Sequence, residues 1–237
     1  MGRAWTVCCA VVLAAACASN PLSRKYEYEE EVYVNLDGSA TVYVNAAVPA
    51  LVALRGAALP LDPNARLDRT VVRDFFNTPV SQVASVTTSR RQGRRYVHLR
   101  MTVPDIRRLG EAPPFAWSTY RYVEGDTLEF AQQMRASAGK DVGNVGWDGD
   151  ELIAVRLHLP SVVTDNNSPL KVQRGNILVW EQPLAERQKG TALDIQARMQ
   201  KESILFRTLA LFGAMGVLVV LTFIAVIWYV RSRKPAS

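Results

Sequence analysis

Past residue 17 the sequence contains no cysteine, because Cys8, Cys9 and Cys17 all stand in its first 17 residues. No disulfide can therefore hold the later chain together, and no thiolate zinc site can form in it. Histidine is nearly as scarce, with only His98 and His158, and no G-x-S-x-G elbow occurs. Nucleophilic hydrolysis needs a Ser or Cys beside a base, with a third group to orient that base, so its parts are poorly supplied. A surplus of one charge is also missing from the body of the chain. The formal charge is +6, yet residues 18–200 hold 22 of the 28 basic and 21 of the 22 acidic residues. The excess basic charge lies at the two ends, where it reports membrane insertion rather than a nucleic-acid footprint.

One long stretch lacks charge altogether. Thr208–Val230 is 23 residues without an ionisable acid or base, and a helix of that length reaches roughly 34 Å, enough to cross a hydrocarbon core of about 30 Å. Trp228 and Tyr229 precede Arg231, Arg233 and Lys234, the order of an interfacial aromatic belt and a cytoplasmic stop. Residues 208–230 are thus expected to span a membrane once, with 231–237 a cytoplasmic tail and the preceding domain extracytoplasmic.

The N-terminus reads as an export signal. Arg3 supplies its positive charge, and Ala4–Ala16 is an apolar run too short to span a bilayer. Leu13-Ala14-Ala15-Ala16-Cys17 is similar to the bacterial lipobox, with Ala14 where that pattern prefers Leu. The resemblance implies a signal peptide over 1–16, lipid attached to Cys17 and a stem over 17–25. Cleavage after Ala18, from the A-x-A pattern Ala16-Cys17-Ala18, is the competing reading. With a lipid at Cys17, both ends of the domain would be tethered to one surface.

Residues 26–200 predict one α+β domain, a mostly antiparallel sheet with a few short helices. Tyr28, Val32, Val34 and Leu36 alternate with Glu27, Glu29, Glu31 and Asn35, the period of two of a strand with one wet face. Ala40, Val42, Val44 and Ala46 repeat that pattern, and a three-residue loop Leu36-Asp37-Gly38 with left-handed Gly38 keeps both apolar sets on one face. Short helices are expected over Pro49–Arg55, stopped by Gly56, and from Asp68 to Phe76, with a further turn at Pro104-Asp105. Strands are expected over 83–90, 96–103, 115–123, 127–134, 151–159 and 192–199, and over Ile177–Trp180 as a central strand. Residues 137–150, rich in Gly, Asp and Asn, read as a loop. The first and last strands are expected to lie close together, since both adjoin the membrane.

Four places invite a functional reading. Arg90, Arg91, Arg94 and Arg95 crowd one hairpin turn, and either protect a sheet edge or touch anionic headgroups. Phe115, Trp117, Tyr120 and Tyr122 either pack a core or line an apolar pocket. His98 and His158 fall on polar strand faces, where hydrogen-bonded or solvated histidines are expected. Asp148, Asp150 and Glu151 lack the order of oxygen ligands of a calcium loop, so a solvated loop is expected there. No metal, no cofactor and no catalytic residue is assigned. In the membrane helix, Ala210 and Ala214 offer a small-residue face without a full G-x-x-x-G.

The leader, the hairpin at Leu36-Asp37-Gly38-Ser39, the late strand Gly175-Asn176-Ile177-Leu178-Val179-Trp180 and the single C-terminal helix together resemble bacterial LppM-type envelope lipoproteins. The resemblance covers about the last third of the chain. It implies an envelope protein whose domain associates with membrane lipid, and it carries no catalytic residues. The expected function is non-enzymatic binding of lipid or of an apolar envelope component. A protein-interaction subunit of an envelope complex is the alternative, with an envelope hydrolase behind it, and no nucleic-acid partner is expected.

Overall fold

A computed structural model describes residues 25–91, 93–170, 172–173 and 176–232. The export signal, Cys17 and the tail beyond Ser232 lie outside these residues. The chain begins as β1 (Tyr26–Val34), turns, and returns as β2 (Ala40–Ala47). Their register pairs Val34 with Ala40, and Asn35 N donates to Ser39 O at 2.8 Å. The loop is therefore Leu36-Asp37-Gly38, with Gly38 at φ 81°, as the parity of the two apolar sets requires. Helix α1 (Val48–Arg55) opens with Pro49 and closes on left-handed Gly56, whereas α2 (Arg69–Phe76) is capped by Asp68, whose side chain accepts from Thr70 N.

The next hairpin is β3 (Gln82–Arg91) with β4 (Arg94–Val103), followed by 3₁₀ turns at Ile106–Glu111 and Pro113–Phe115. Then come β5 (Ser118–Glu124), β6 (Leu128–Met134), β7 (Leu152–His158) and β8 (Ser161–Asn166). The chain ends in β9 (Ile177–Pro183), α3 (Leu184–Gln188), β10 (Leu193–Ser203) and α4 (Ile204–Ser232).

These strands form a six-stranded sheet ordered β3-β4-β2-β1-β7-β9 and a four-stranded sheet ordered β5-β6-β10-β8. Every pairing is antiparallel except β1 with β7. The core lies between the sheets. Tyr28, Val32, Val42, Val44, Leu99 and Met101 face Tyr120, Phe130, Ile195 and Met199, all buried. Even positions of β1 and β2 therefore point inward, as their alternation dictates.

Several expectations change. The first and last strands, β1 and β10, belong to different sheets. Ile177–Trp180 begins an edge strand, not a central one; its apolar outer side is covered because Ser168 Oγ donates to Val179 O at 2.7 Å and Trp180 Nε1 to Asn167 Oδ1 at 3.1 Å. Phe115 ends a 3₁₀ turn, and the strand after it starts only at Ser118. Strand β10 runs on to Ser203 and passes into α4 without a linker. Glu27, expected on the wet face of β1, is buried, and so is Glu30, which shares the inward face with Tyr28 and Val32.

The register also separates the start of the described domain from the start of α4. Tyr26 lies beside Leu152 at the start of β7, while Ser203, the last residue before α4, pairs with Ser161, just beyond the end of β7. At about 3.3 Å per residue, the stem and α4 leave opposite ends of the domain, roughly 30 Å apart. We call these the stem end and the helix end. Within α4, Thr208–Ser232 is apolar and long enough to cross a membrane, which fits a single-pass anchor.

Candidate functional site

The stem end is built from two loops and one hairpin turn. After Gly56 the chain crosses the end of the sheet as an irregular segment, Leu59-Pro60-Leu61-Asp62-Pro63, because closely spaced prolines forbid helix and sheet ladders alike. On the other side, residues 137–150 also lack regular structure. Loop backbone leaves carbonyl oxygens without ladder partners, and the arginines of the β3–β4 turn supply the donors.

Arg95 Nη1 donates to Ala65 O at 2.8 Å and its Nη2 to Pro60 O. Arg90 Nη2 donates to Pro63 O at 2.7 Å. Arg94 reaches the opposite loop, donating to Gly146 O and to the Glu27 carboxylate, with Glu151 Oε1 3.5 Å away. Glu27 also accepts from Tyr96 Oη at 3.1 Å and Trp147 Nε1 at 3.2 Å. Glu151 accepts from the backbone N–H of Asp148 at 3.0 Å and of Gly149 at 2.9 Å. Three of the four arginines thus fasten loops; Arg91 is exposed and donates to no loop carbonyl among the described residues.

Between the fastened loops lies a groove of about 480 Å³, within the size range of small-molecule sites. Val48, Pro49, Leu61, Pro63, Val142 and Val145 form its apolar wall, with Arg94 and Arg95 at one side. Beyond the 59–67 loop is an open polar basin lined by Arg66, Arg69, Arg90 and Arg95 against a single acid, Asp68. Arg95 borders both. It is buried and no carboxylate pairs with it among the described residues. Burial, with Arg90 beside it, lowers its guanidinium below the usual arginine range, while the charge of Asp62, which also lines the groove, offsets part of this. Burial would also lower Arg94, but the hydrogen bond and charge of Glu27 and the charge of Glu151 outweigh it and hold Arg94 above that range. Burial, reinforced by Glu27, pushes the Tyr96 phenol up to about 12.

The four aromatics do not converge on one pocket. Phe115 is fully buried edge-to-face with Phe76 at 5.9 Å, beneath the Arg55 guanidinium. Tyr122 Oη donates to Leu36 O at 3.0 Å and clamps the first hairpin loop. Tyr120 Oη lies 3.4 Å from Glu30 Oε1 in a buried network, and Trp117 is exposed. In that network Arg55 Nη2 meets Glu30 Oε2 at 2.7 Å and Tyr28 Oη at 2.6 Å, while Gln132 Nε2 donates to Glu30 Oε1 at 3.0 Å. It joins the two sheets.

The histidines are held as hydrogen-bonded or stacked side chains. His98 sits between Asn45 Oδ1 at 2.9 Å and Ser89 Oγ at 2.8 Å, and His158 stacks on Tyr33 at 3.8 Å. Of the three acids expected to be solvated, Glu151, just after the 137–150 loop, is buried, while Asp148 pairs with Lys25 at the surface. No group of acids or histidines able to hold a metal occurs among the described residues.

The groove's apolar wall was not among the expected site residues. Its sequence signal is the Leu59–Pro63 segment, a loop that carries two leucines and two prolines.

No known family model and no curated protein matches this chain. Among solved structures, the chain is similar to the NMR structure of the folded domain of Mycobacterium tuberculosis LppM, at 14% identity and a TM-score of 0.40, covering 75% of this chain and 91% of that one.

Proposed function

We propose that this is a non-enzymatic, membrane-anchored envelope protein whose outer domain takes an anionic amphiphile at the stem end. The acyl part lies along the apolar wall of the groove and the anionic group meets Arg95. The observation carrying this reading is the conjunction of that wall with a buried arginine that is bonded to loop carbonyls and makes no ion pair among the described residues, Asp62 acting on it only at longer range. Each methylene removed from water contributes about 0.8 kcal/mol, and a guanidinium already stripped of water gains more from an anion than an exposed one does. Because the groove lies at the end opposite α4, the bound amphiphile is held roughly 30 Å from the helix end rather than in the anchoring bilayer. The arginine turn thereby acts within a site, not as a flat headgroup contact. Lipidation of Cys17 supplies a second tether, since a stem of about nine residues extends to roughly 30 Å.

Binding of a fluorescent phosphatidylglycerol analogue to the detergent-solubilised full chain tests this. Leu61→Glu is expected to weaken binding at least tenfold while leaving the melting temperature of the outer domain unchanged, because Leu61 is only half-buried. Unaltered binding in Leu61→Glu and Val145→Glu would overturn it.

One feature favours the alternative, a protein-interaction subunit. Strand β3 is an edge strand of ten residues, and its ladder groups could receive a partner's strand. A stoichiometric protein crosslinked in cells through position 87, and lost when Thr87 is replaced by Pro, would favour that reading.

A further inference from the structure

The arginine basin beyond the 59–67 loop adjoins the groove, because Arg95 lines both. It encloses about 1100 Å³, against about 480 Å³ for the groove, which is room for much more than one phosphate. Arg90 and Arg95 are cross-strand partners on β3 and β4, a pairing that sets Cβ atoms about 5 Å apart. Arg66 and Arg69 line the same basin from the loop and the start of α2. Both are exposed, and neither enters an ion pair among the described residues.

The acids nearby are fewer and already engaged. Asp68 Oδ1 accepts from Thr70 N and Asp62 Oδ1 from Asn64 N, both at 2.8 Å. Glu27 and Glu151 belong to Arg94. Outside that Arg94 cluster, groove and basin set four arginines against Asp62 and Asp68, an excess of 4 − 2 = 2 positive charges. A guanidinium has five N–H donors, of which Arg90 gives one and Arg95 two to loop carbonyls. Donors therefore remain on each, in the fork geometry that suits phosphate oxygens. A headgroup with a single charge at Arg95 answers half of the excess and leaves Arg66 and Arg69 to water.

We infer that the amphiphile suited to this site carries a diphosphate headgroup, its first phosphate at Arg95 and its second in the basin toward Arg66 and Arg69. The inference rests on the amphiphile reading of the groove, since the acyl part fixes where the headgroup begins.

Dioleoylglycerol diphosphate and dioleoyl phosphatidylglycerol share their chains and differ only in headgroup. Each is titrated against the fluorescent phosphatidylglycerol analogue on the full chain in a non-ionic detergent, with inorganic pyrophosphate as a third competitor. The diphosphate lipid is expected to compete roughly tenfold more tightly than phosphatidylglycerol, the increment of two exposed charge pairs. Pyrophosphate, which lacks the chains, is expected to compete far more weakly than the diphosphate lipid. Joint replacement Arg66→Gln and Arg69→Gln should remove most of the tenfold preference, chiefly by weakening the diphosphate lipid, without moving the melting temperature. Arg66→Lys with Arg69→Lys should retain part of it. Equal competition by the two lipids, or a preference that survives the glutamine pair, overturns this inference and leaves the groove reading standing. Pyrophosphate competing as well as the diphosphate lipid overturns it too, because the basin would then be a site for the free anion. Failure of both lipids to displace the analogue, or displacement unaffected by Leu61→Glu, removes the groove reading and this one with it.

Discussion

The two ends of the outer domain use the same residue type for opposite purposes. At the stem end, arginines point inward: Arg94 lies against the buried Glu27 and Glu151, and Arg95 is itself buried against loop carbonyls. At the helix end, Arg107 and Arg108 pair with Asp105 and Glu111 in solvent, each more than half exposed. There the structure is held instead by a tight turn, in which Gly38 lies beneath the Tyr122 ring and Ile106 N donates to Gly38 O at 2.9 Å. An arginine cluster in a sequence is therefore not evidence of a charged surface. Its meaning depends on whether nearby loops leave carbonyls and carboxylates that need donors.

That contrast breaks most visibly at Arg94. Arg94→Ala leaves Glu27 and Glu151 buried without their cation and is expected to remove about 3 kcal/mol, read by urea denaturation. Hydrogen exchange should speed at Gly146, Asp148 and Gly149 before it does elsewhere. At the helix end the sensitive position is a glycine. Gly38→Ala places a side chain at φ 81° and 3.1 Å from the Tyr122 ring, with an expected loss of about 1–2 kcal/mol by the same measurement.

Alkaline titration touches both ends. Burial pushes Tyr96 and Tyr122 up to about 12, above the unfolded value of about 10. Each phenol holds its proton more tightly folded than unfolded, so its stabilisation is complete below about pH 10 and declines as pH rises through about 12. Tyr122→Phe should flatten part of that decline in denaturation curves recorded against pH. The smallest effect is expected from Arg107→Ala and Arg108→Ala, whose solvent-exposed pairs should leave the denaturation midpoint unmoved. A loss there comparable to that of Arg94→Ala would erase the contrast.

Local signals told the truth where local physics decides. The β1–β2 loop followed from parity, α1 from Pro49 and Gly56, and α2 from the Asp68 cap. Apolar alternation placed nearly all the inward residues of β1, β2, β4 and β10. What failed depended on long-range pairing. Ile177–Trp180 is apolar on both faces, yet it is an edge strand whose outer side is covered by residues about ten positions earlier in the chain. Strand β8, polar and mostly exposed, gives almost no alternation to read. Glu30 shares the apolar face of β1 because Arg55 and Gln132, 25 and 102 residues away, are there to meet it. The groove was hidden for the same reason: α1, the Pro-rich segment and the 137–150 loop are brought together by the Arg94 and Arg95 contacts and by the bonds of Ala138 N to Leu54 O and Lys140 N to Ala53 O, all long-range.

The account stands on a lipid being held at the stem end, away from the bilayer that α4 enters. A photo-crosslinking side chain placed at position 145, in the full chain reconstituted in anionic nanodiscs, tests this directly when compared with one at position 37 by the helix end. The account predicts a lipid adduct at 145 that disappears in Leu61→Glu, alongside an adduct at 37 that does not. Adducts at 37 and none at 145 would contradict it.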